Sequence, residues 1–434
     1  MQKTGKHFRD KSALRIVFFS HYFPPEGNAP ASRTFEHCVR WAEAGNQITV
    51  ITCAPNVPNG VVYPGYRNRI WPQRENVQGV NVIRVWTYVA ANAGAPKRIL
   101  NFVSYMISAT LAFTFFCRRP NLVIATSPQF FCGWAGVIGS WVKWCPFLLE
   151  IRDIWPESIT TVGAMRKGIV TRVLEVLERW MYRSATHIVA VGEGYKKKIL
   201  EKANVADRVS VVTNGVDLDL FRPMPKSEEF LSKWNLNGRF VCASVGTIGM
   251  AHGLDVVLRA ARRLTSLGRM DIVFLMVGDG AERANLERRS RELGVESGVL
   301  FTGRLPKEEM DTVLASSDCL LIHLKKSDLF ETVIPSKIFE SMAMERPLIM
   351  GVRGEAAEIV RRSGSGIEME PDNDQQLCDA VQRLRDDSTF YQSLCLSGRQ
   401  FVAANYTRDA LADKFLKIIQ SVVAQKPVIQ ESQN

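Results

Sequence analysis

The chain has no Cys-x-x-Cys pair, only six histidines, and no two histidines at helical spacing. Its nine cysteines are odd in number and scattered, several within apolar runs. That pattern argues against a disulfide framework or a zinc site and fits reduced thiols in a cytosolic compartment. No Ser/His/Asp order and no metal-ligand cluster is visible, so metal chemistry has little support. The amino terminus, MQKTGKHFRDK, is basic but runs straight into a short apolar strand, with no h-region or cleavage signal, and does not read as a signal peptide. The first strand-to-helix turn lacks Gly-x-Gly-x-x-Gly and carries the single glycine Gly27, which excludes a nicotinamide-dependent dehydrogenase for the first half. Basic residues are dispersed without a nucleic-acid recognition motif, so no nucleic-acid partner is expected.

What is present is length and alternation. A chain of 434 residues with 46% hydrophobic and 23% charged residues predicts two globular domains with ample core. A net charge of +11 favours an anionic partner, whether nucleotide phosphates, nucleic acid or an acidic membrane surface, and by itself does not choose among them. Short apolar runs at 14–19, 47–52, 80–85, 122–125, 147–151, 187–191 and 209–213 alternate with helical periodicities at 32–44, 99–117, 130–144 and 170–182. Residues 55–78 read as a surface excursion. The turn-rich segment Asn214-Gly-Val-Asp-Leu-Asp-Leu-Phe-Arg-Pro ends the first unit, and strand–helix alternation resumes at 240–245 and continues to about 424. The expectation is an N-terminal domain 1–217, a C-terminal domain 218–403, a last helix 404–424 and a frayed tail 425–434. Both domains read as doubly wound α/β sheets.

The segment 99–117 is apolar apart from Asn, Ser and Thr residues, between Lys97-Arg98 and Arg118-Arg119. At nineteen residues it barely reaches bilayer thickness. Five polar residues, Asn101, Ser104, Ser108, Thr110 and Thr114, favour a helix packed within the domain over one lying on a membrane surface, with a true span the least favoured.

In a doubly wound sheet, ligands sit beyond the carboxyl ends of the strands. Three such loops in the second half carry chemistry. In 245–253 the glycines Gly246, Gly249 and Gly253 allow backbone to approach a phosphate at a helix N-terminus. In 277–282 Gly278 and Gly280 form a tight turn, with Asp279 expected to cap the next helix. In 328–347, DLFETVIPSKIFESMAMERP, Pro335 halts regular structure and Ser336 is expected to cap a helix from Lys337. Lys337 then adds a cation, and Glu340 a carboxylate for a sugar or ribose hydroxyl. Each loop alone also reads as an ordinary solvated turn; together they favour a phosphate-containing ligand. In the first half, the loop 21–31 reads as flexible and suited to an acceptor. Glu150, Arg152 and Asp153 bracket a buried strand's end, either lining the cleft or held in a structural salt bridge from Arg152.

These motifs resemble glycosyltransferase family 4. Asn214 to Pro223 is similar to the family's interdomain signature, while Val277-Gly-Asp-Gly and the segment Pro335 to Pro347 look like later motifs of its nucleotide-binding domain. Arg152-Asp-Ile-Trp-Pro-Glu-Ser and Gly246-Thr-Ile-Gly-Met-Ala-His-Gly narrow the likeness to a WbuB-like branch that builds bacterial O-antigen and related polysaccharides. The resemblance covers roughly residues 14–419. It implies the GT-B fold, two Rossmann-like domains facing a central cleft with a final helix crossing back. It also implies metal-independent, retaining transfer from a nucleotide sugar, usually a UDP-sugar, with no cofactor and with UDP as product.

Carried over by position, Glu340 matches the second glutamate of a Glu-x7-Glu pattern, whose first member is replaced here by Thr332, one residue after Glu331. Thr247 and His252 stand where many members have Arg and Lys, so Lys337, with Arg304 or Lys325, is expected to meet the diphosphate. The implied donor set further includes Val333, Ile334 and Ser336 with the loop residues above. His21, Glu26, Gly27, Asn28 and Arg152 are the expected acceptor side, and Asp153 orients substrate near the anomeric carbon. The favoured function is transfer to a polyprenyl-diphosphate-linked or other glycan by an enzyme peripheral to the inner face of the plasma membrane. The alternatives are a sugar-nucleotide epimerase or hydrolase of the same fold, or a nucleotide- or glycan-binding subunit without catalysis.

Overall fold

The computed structural model describes residues 13–57, 59–90, 95–161, 168–328 and 330–425; the frayed tail expected beyond 425 lies outside them. The first domain contains strands β1 (Arg15–Phe19), β2 (Gln47–Cys53), β3 (Gln73–Val77), β4 (Val80–Val85), β5 (Leu122–Thr126), β6 (Phe147–Ile151), β7 (His187–Ala190) and β8 (Val209–Val211). Its helices are α1 (Ala29–Glu43), α2 (Ala95–Phe116), α3 (Phe130–Lys143), α4 (Glu157–Thr161), α5 (Ile169–Ser184) and α6 (Glu193–Lys202). The second contains β9 (Phe240–Val245), β10 (Ile272–Val277), β11 (Val299–Gly303), β12 (Cys319–His323), β13 (Leu348–Gly351) and β14 (Gly366–Glu368). Around that sheet lie α7 (Glu228–Lys233), α8 (Asp255–Ser266), α9 (Arg283–Glu292), α10 (Met310–Ser316), α11 (Lys337–Ala343), α12 (Glu355–Ser363), α13 (Asp374–Asp386) and α14 (Ser388–Asn405), before α15 (Arg408–Ala424) closes the chain.

The sheets are ordered β3-β4-β2-β1-β5-β6-β7-β8 and β11-β10-β9-β12-β13-β14. Every neighbouring pair is parallel except β3–β4. Parallel strands covered on both faces are near-continuous apolar runs; all five residues of β5 and of β6 are buried, and Glu150 is the one charged residue among them. Strand order reverses between β1 and β5 and again between β9 and β12, which sets a crevice at each of those points.

Two sequence expectations are corrected here. The excursion 55–78 contains an edge strand, β3, that pairs antiparallel with β4 from Gln73↔Arg84 to Val77↔Val80. The loop 21–31 is not a free flap: α1 starts at Ala29, with Asn28 Oδ1 accepting from the Ala31 amide at 2.9 Å and a proline in the first turn.

Helix α2 packs one face into the domain. Phe102, Tyr105, Ala109, Ala112 and Phe113 are buried, and the Tyr105 hydroxyl donates to the Ile51 carbonyl at 2.7 Å. It is long and apolar enough to cross a membrane, but this buried face packs into the first domain's core. Its other face, Leu100, Ile107, Leu111 and Phe115, is exposed.

The chain crosses between the domains twice. After β8 it passes through Val216, and after α14 it returns so that α15 lays Leu411, Phe415, Leu416, Ile419 and Val422 into the first domain's core beside Trp41. The two crossings touch each other. Val216 N donates to Tyr406 O at 2.9 Å, Arg408 N donates to Val216 O at 3.0 Å, and Val216 and Thr407 form a parallel bridge. Gly215 lies against the Tyr406 carbonyl, where a Cβ would come within 2.5 Å of the oxygen.

Candidate functional site

At the reversal point of the second sheet, the loops after β9 and β10 are laced together. Gly246 N donates to Val277 O at 2.8 Å, Ile248 N to Asp279 O at 3.0 Å, and Glu282 N to Ile248 O at 3.0 Å. Such close backbone contact needs glycine. A Cβ on Gly278 would sit 1.7 Å from the Gly246 carbonyl oxygen, and both Gly278 and Gly280 have positive φ. The lacing leaves Gly246 and Thr247 exposed at the carboxyl end of the sheet, just before α8. Gly253 turns the chain into α8 at φ +57°, and there is no room beside it for a side chain: a Cβ would meet Lys325 Cγ at 2.9 Å. Asp279, expected as a helix cap, does not act as one. Its Oδ1 accepts from the adjacent Gly280 amide at 2.8 Å, and α9 begins four residues after it, at Arg283.

His323, which the sequence does not single out, holds this loop to β12. Its Nδ1 donates to the His252 carbonyl at 2.6 Å and its Nε2 accepts from the Asp372 amide at 2.9 Å. Those two bonds fix a neutral ring, and burial lowers its pKa in agreement. Lys325 and Arg304 are exposed, the first beside Gly253 and the second directly after Gly303, whose carbonyl accepts from Gly278 N. The buried Nδ1 of His252 has no hydrogen-bond partner among the described residues.

Helix α11 starts as expected at Lys337, but Ser336 does not cap it. Its backbone is already helical, and its side chain makes no cap hydrogen bond. The first turn tightens instead, with Ile338 N on Pro335 O at 3.2 Å and Phe339 N on Ser336 O at 3.1 Å. Nor is Lys337 a free cation: its Nζ pairs with Glu340 Oε2 at 2.7 Å, and Glu340 is buried. Thr332 and Ile334 pack against the first domain at Gly194 and Gly192, while Val333 is half-buried next to them.

On the opposite wall, Asp153 follows β6. Burial pushes its carboxyl up to about 6, with hydrogen bonds to the ionised form offsetting part of the effect. The Ser127 hydroxyl accepts from the amides of Arg152 and Asp153 at 2.8 and 3.2 Å and so shapes this turn. Among the described residues Arg152 makes no salt bridge; its guanidinium donates to the Pro30 and Ala29 carbonyls, each at 3.2 Å. The buried Glu150 is paired instead with Arg33, a residue sequence reading misses, whose Nε lies 2.9 Å from Oε1. Burial by itself would raise Glu150, but Arg33 and Arg152 outweigh it and hold the carboxyl below its usual value. Arg33 also donates to the Thr213 and Val212 carbonyls and to Asn214 Oδ1, tying β6 to the interdomain crossing.

His21 and Glu26 are buried, whereas Gly27 is exposed with open space around it. Burial takes His21 down to about 3, so it is neutral; its Nδ1 has no hydrogen-bond partner. Glu26 Oε1 accepts from the Asn56 and Val57 amides at 2.8 and 3.2 Å, while Oε2 has no partner and burial raises its pKa.

The two walls meet at one side of the cleft. Glu355, the first residue of α12, reaches across to the start of α6 and accepts from Glu193 N and Gly194 N, both at 2.9 Å. A carboxylate at a helix N-terminus is favoured by the unpaired amides and the helix dipole. Among the described residues, no group of three His, Cys, Asp or Glu side chains could hold a metal ion.

Comparisons with known proteins agree with this geometry. Residues 28–215 match the family "Glycosyl transferase 4-like domain", and residues 226–401 match "Glycosyl transferases group 1". The chain is 26% identical to WbjE of Pseudomonas aeruginosa, named as a glycosyltransferase, over 66% of this chain and 70% of the relative. It is 24% identical to WcaI of Escherichia coli K12, named for colanic acid biosynthesis, over 76% of this chain and 81% of the relative. In fold it is similar to HepE of Anabaena, solved in complex with UDP and glucose, at TM-score 0.70 and 15% identity, covering 94% of this chain and all of that one.

Proposed function

We infer the reaction from one premise: the chain belongs to the glycosyltransferases, residues 28–215 to the 4-like domain family and residues 226–401 to group 1, in a GT-B arrangement of two doubly wound domains. We propose that it moves a sugar from a UDP-sugar to a lipid-linked glycan, with retention, in the assembly of a bacterial surface polysaccharide. The observation that carries this reading is the laced pair of glycine loops at the reversal point of the second sheet, beside exposed Lys325 and Arg304. Backbone N–H groups and a helix N-terminus suit a diphosphate. The name of WcaI, which refers to colanic acid biosynthesis, supports the pathway, and the UDP held by HepE supports the nucleotide.

In this reading the 246–253 loop holds the diphosphate, and Lys325 and Arg304 offset the charge that grows as the glycosidic bond breaks. Arriving nucleotide draws Lys337 off Glu340, so that the lysine meets phosphate and the carboxylate takes a ribose hydroxyl. The acceptor enters from the first domain, along Gly27, Arg152 and Asp153. Asp153 orients the sugar or the incoming hydroxyl, and the leaving phosphate accepts the hydroxyl proton on the same face. No cofactor or metal takes part. The enzyme works at the inner face of the plasma membrane, where lipid-linked acceptors are displayed.

The test is a thermal-shift titration with UDP, GDP and ADP. A nucleotide at about 100 times its dissociation constant adds about 2.7 kcal/mol of stability. A UDP shift lost in Lys337→Ala supports the reading, and a GDP or ADP shift replaces the donor. No shift with any nucleotide overturns it. Turnover of donor without acceptor would point to an epimerase or hydrolase instead.

A further inference from the structure

The first domain carries an apolar surface that the cleft does not use. On α5, Ile169, Val173, Val176 and Trp180 recur at spacings of four, three and four residues, and all are at least half exposed. A stripe with that period ordinarily packs against a partner. At the far end of the helix Trp180 meets Trp141 of α3, with ring centroids 6.1 Å apart. Trp144, 79% exposed, follows at the end of α3, and Arg119 donates to its carbonyl at 2.8 Å. Lys143 joins the ends of α3 and α2 by donating to the Thr114 and Cys117 carbonyls. Phe115 is 74% exposed there, and Phe116 contacts Trp71, itself 75% exposed, at 6.0 Å. An open pocket of about 400 Å³ notches the surface, with an aromatic rim of Trp141 and Trp144 over Ser140, Ser184 and Thr186. One continuous band of exposed aromatic and aliphatic side chains therefore runs from the loop at 71 across α2 and α3 to α5.

The charges around this band are predominantly positive. Lys97, Arg98, Arg118, Arg119, Arg172, Arg179 and Arg183 lie on or beside the three helices. Glu175 is the one exposed acid on them, since Glu178 is buried and paired with Lys202. Tryptophan among basic residues on a helix face suits the headgroup level of an anionic bilayer. A second copy fits poorly: a two-fold interface would set these arginines against one another.

We propose that the outer face of α5, together with Trp141 and Trp144, is the surface by which the enzyme docks on anionic lipid, with α2 contributing its exposed side. The proposal rests on the lipid-linked acceptor inferred above, which gives docking a purpose, but is tested separately. The full-length chain is floated with phosphatidylcholine vesicles with and without phosphatidylglycerol at low salt. Wild type should bind the anionic vesicles. Arg179→Glu should weaken binding about thirtyfold, because each basic charge at such a surface is worth about a factor of five. The double variant Val173→Glu/Val176→Glu should weaken it at least as much. Trp144→Asn should weaken it too, and asparagine suits the left-handed backbone at that position. Leu396→Glu, an exposed site on α14 of the other domain, serves as the control and should not change it.

A UDP thermal shift on each sample reports folding and the donor site independently. A chain that shifts with UDP but ignores anionic vesicles overturns the docking face and leaves the transferase reading standing; vesicle binding without any nucleotide shift does the reverse. Variants that float like wild type overturn the proposal. So does a dimer in light scattering that Val173→Glu/Val176→Glu dissolves, which would assign the band to a second copy.

Discussion

Replacing Asp153 by Asn should make the protein more stable and a poorer enzyme. The carboxyl moves from 3.8 to about 6 in the fold because burial disfavours its charge. Each pKa unit corresponds to about 1.36 kcal/mol, so ionised Asp153 destabilises the fold by at most about 3 kcal/mol. The sign is that of a raised acid. The unfolded chain releases its proton first, so the penalty appears above pH 3.8, reaches about half its size near pH 5 and is complete above pH 6. Asparagine has the same shape without the charge, but its amide also loses water on burial. We therefore expect a net gain of about 1–2 kcal/mol at pH 8, or about 3–6 °C in Tm for a domain of this size. The gap should shrink by about half at pH 5. Differential scanning calorimetry of both proteins from pH 4.5 to 8 measures it. Transfer at pH 8 should fall about a hundredfold, because a positioned group in the reaction centre is lost. A variant less stable than wild type at pH 8, or a gap that does not change with pH, would refute the reasoning.

Other perturbations separate the parts of the site. Gly278→Ala should unlace the two loops, since its Cβ falls on the Gly246 carbonyl; the UDP shift should vanish and stability drop by about 2 kcal/mol or more. Glu355→Ala leaves the Glu193 and Gly194 amides without their cross-cleft carboxylate. A loss of about 1 kcal/mol in closure is expected, read as a larger radius of gyration by small-angle scattering. Burial lowers the pKa of His21, His37, His252 and His323. The contribution of these neutral rings to stability should thus be full above pH 6.5 and be lost as pH falls below it, which thermal unfolding of an Asp153→Asn background between pH 8 and 5 would follow. Lys337→Met should abolish the UDP shift and also destabilise the apo protein, because Glu340 then stays buried without its partner. The double variant Lys337→Met/Glu340→Gln should recover that stability but not the nucleotide shift.

Much of the fold is legible in the sequence because a strand buried on both faces must be a continuous apolar run. Phe240–Val245 appears residue for residue where that rule places it. Strand β3 escapes it: QRENV at a solvent-facing edge needs no apolar pattern and is recognisable only through its pairing with β4. The glycine loops are visible as loops, but not their lacing, which depends on backbone contact between segments thirty residues apart. Arg33 and His323 are invisible for the same reason. Arg33 meets Glu150 across 117 positions and His323 meets His252 across 71, separations that leave no local signature. Ser336 shows the opposite failure, a residue of the right type for a cap whose backbone is already helical. Glu355 sits in a plain helix start, and only the arrangement of the two domains reveals what it reaches.

The paired crossings at Val216 and Thr407 bear on how the enzyme moves. Two domains joined by one linker can swivel in any direction. Here two strands of linker are bonded side by side, so bending is easy about the line through the bridge and hard about any other. Opening and closing should resemble a door on a two-leaf hinge, returning Glu355 to the same two amides of α6 at every closure. The hinge also makes the domains inseparable. A cut that removes α15 strips Phe415 and its neighbours from the core of a domain that ends, by sequence, some two hundred residues earlier.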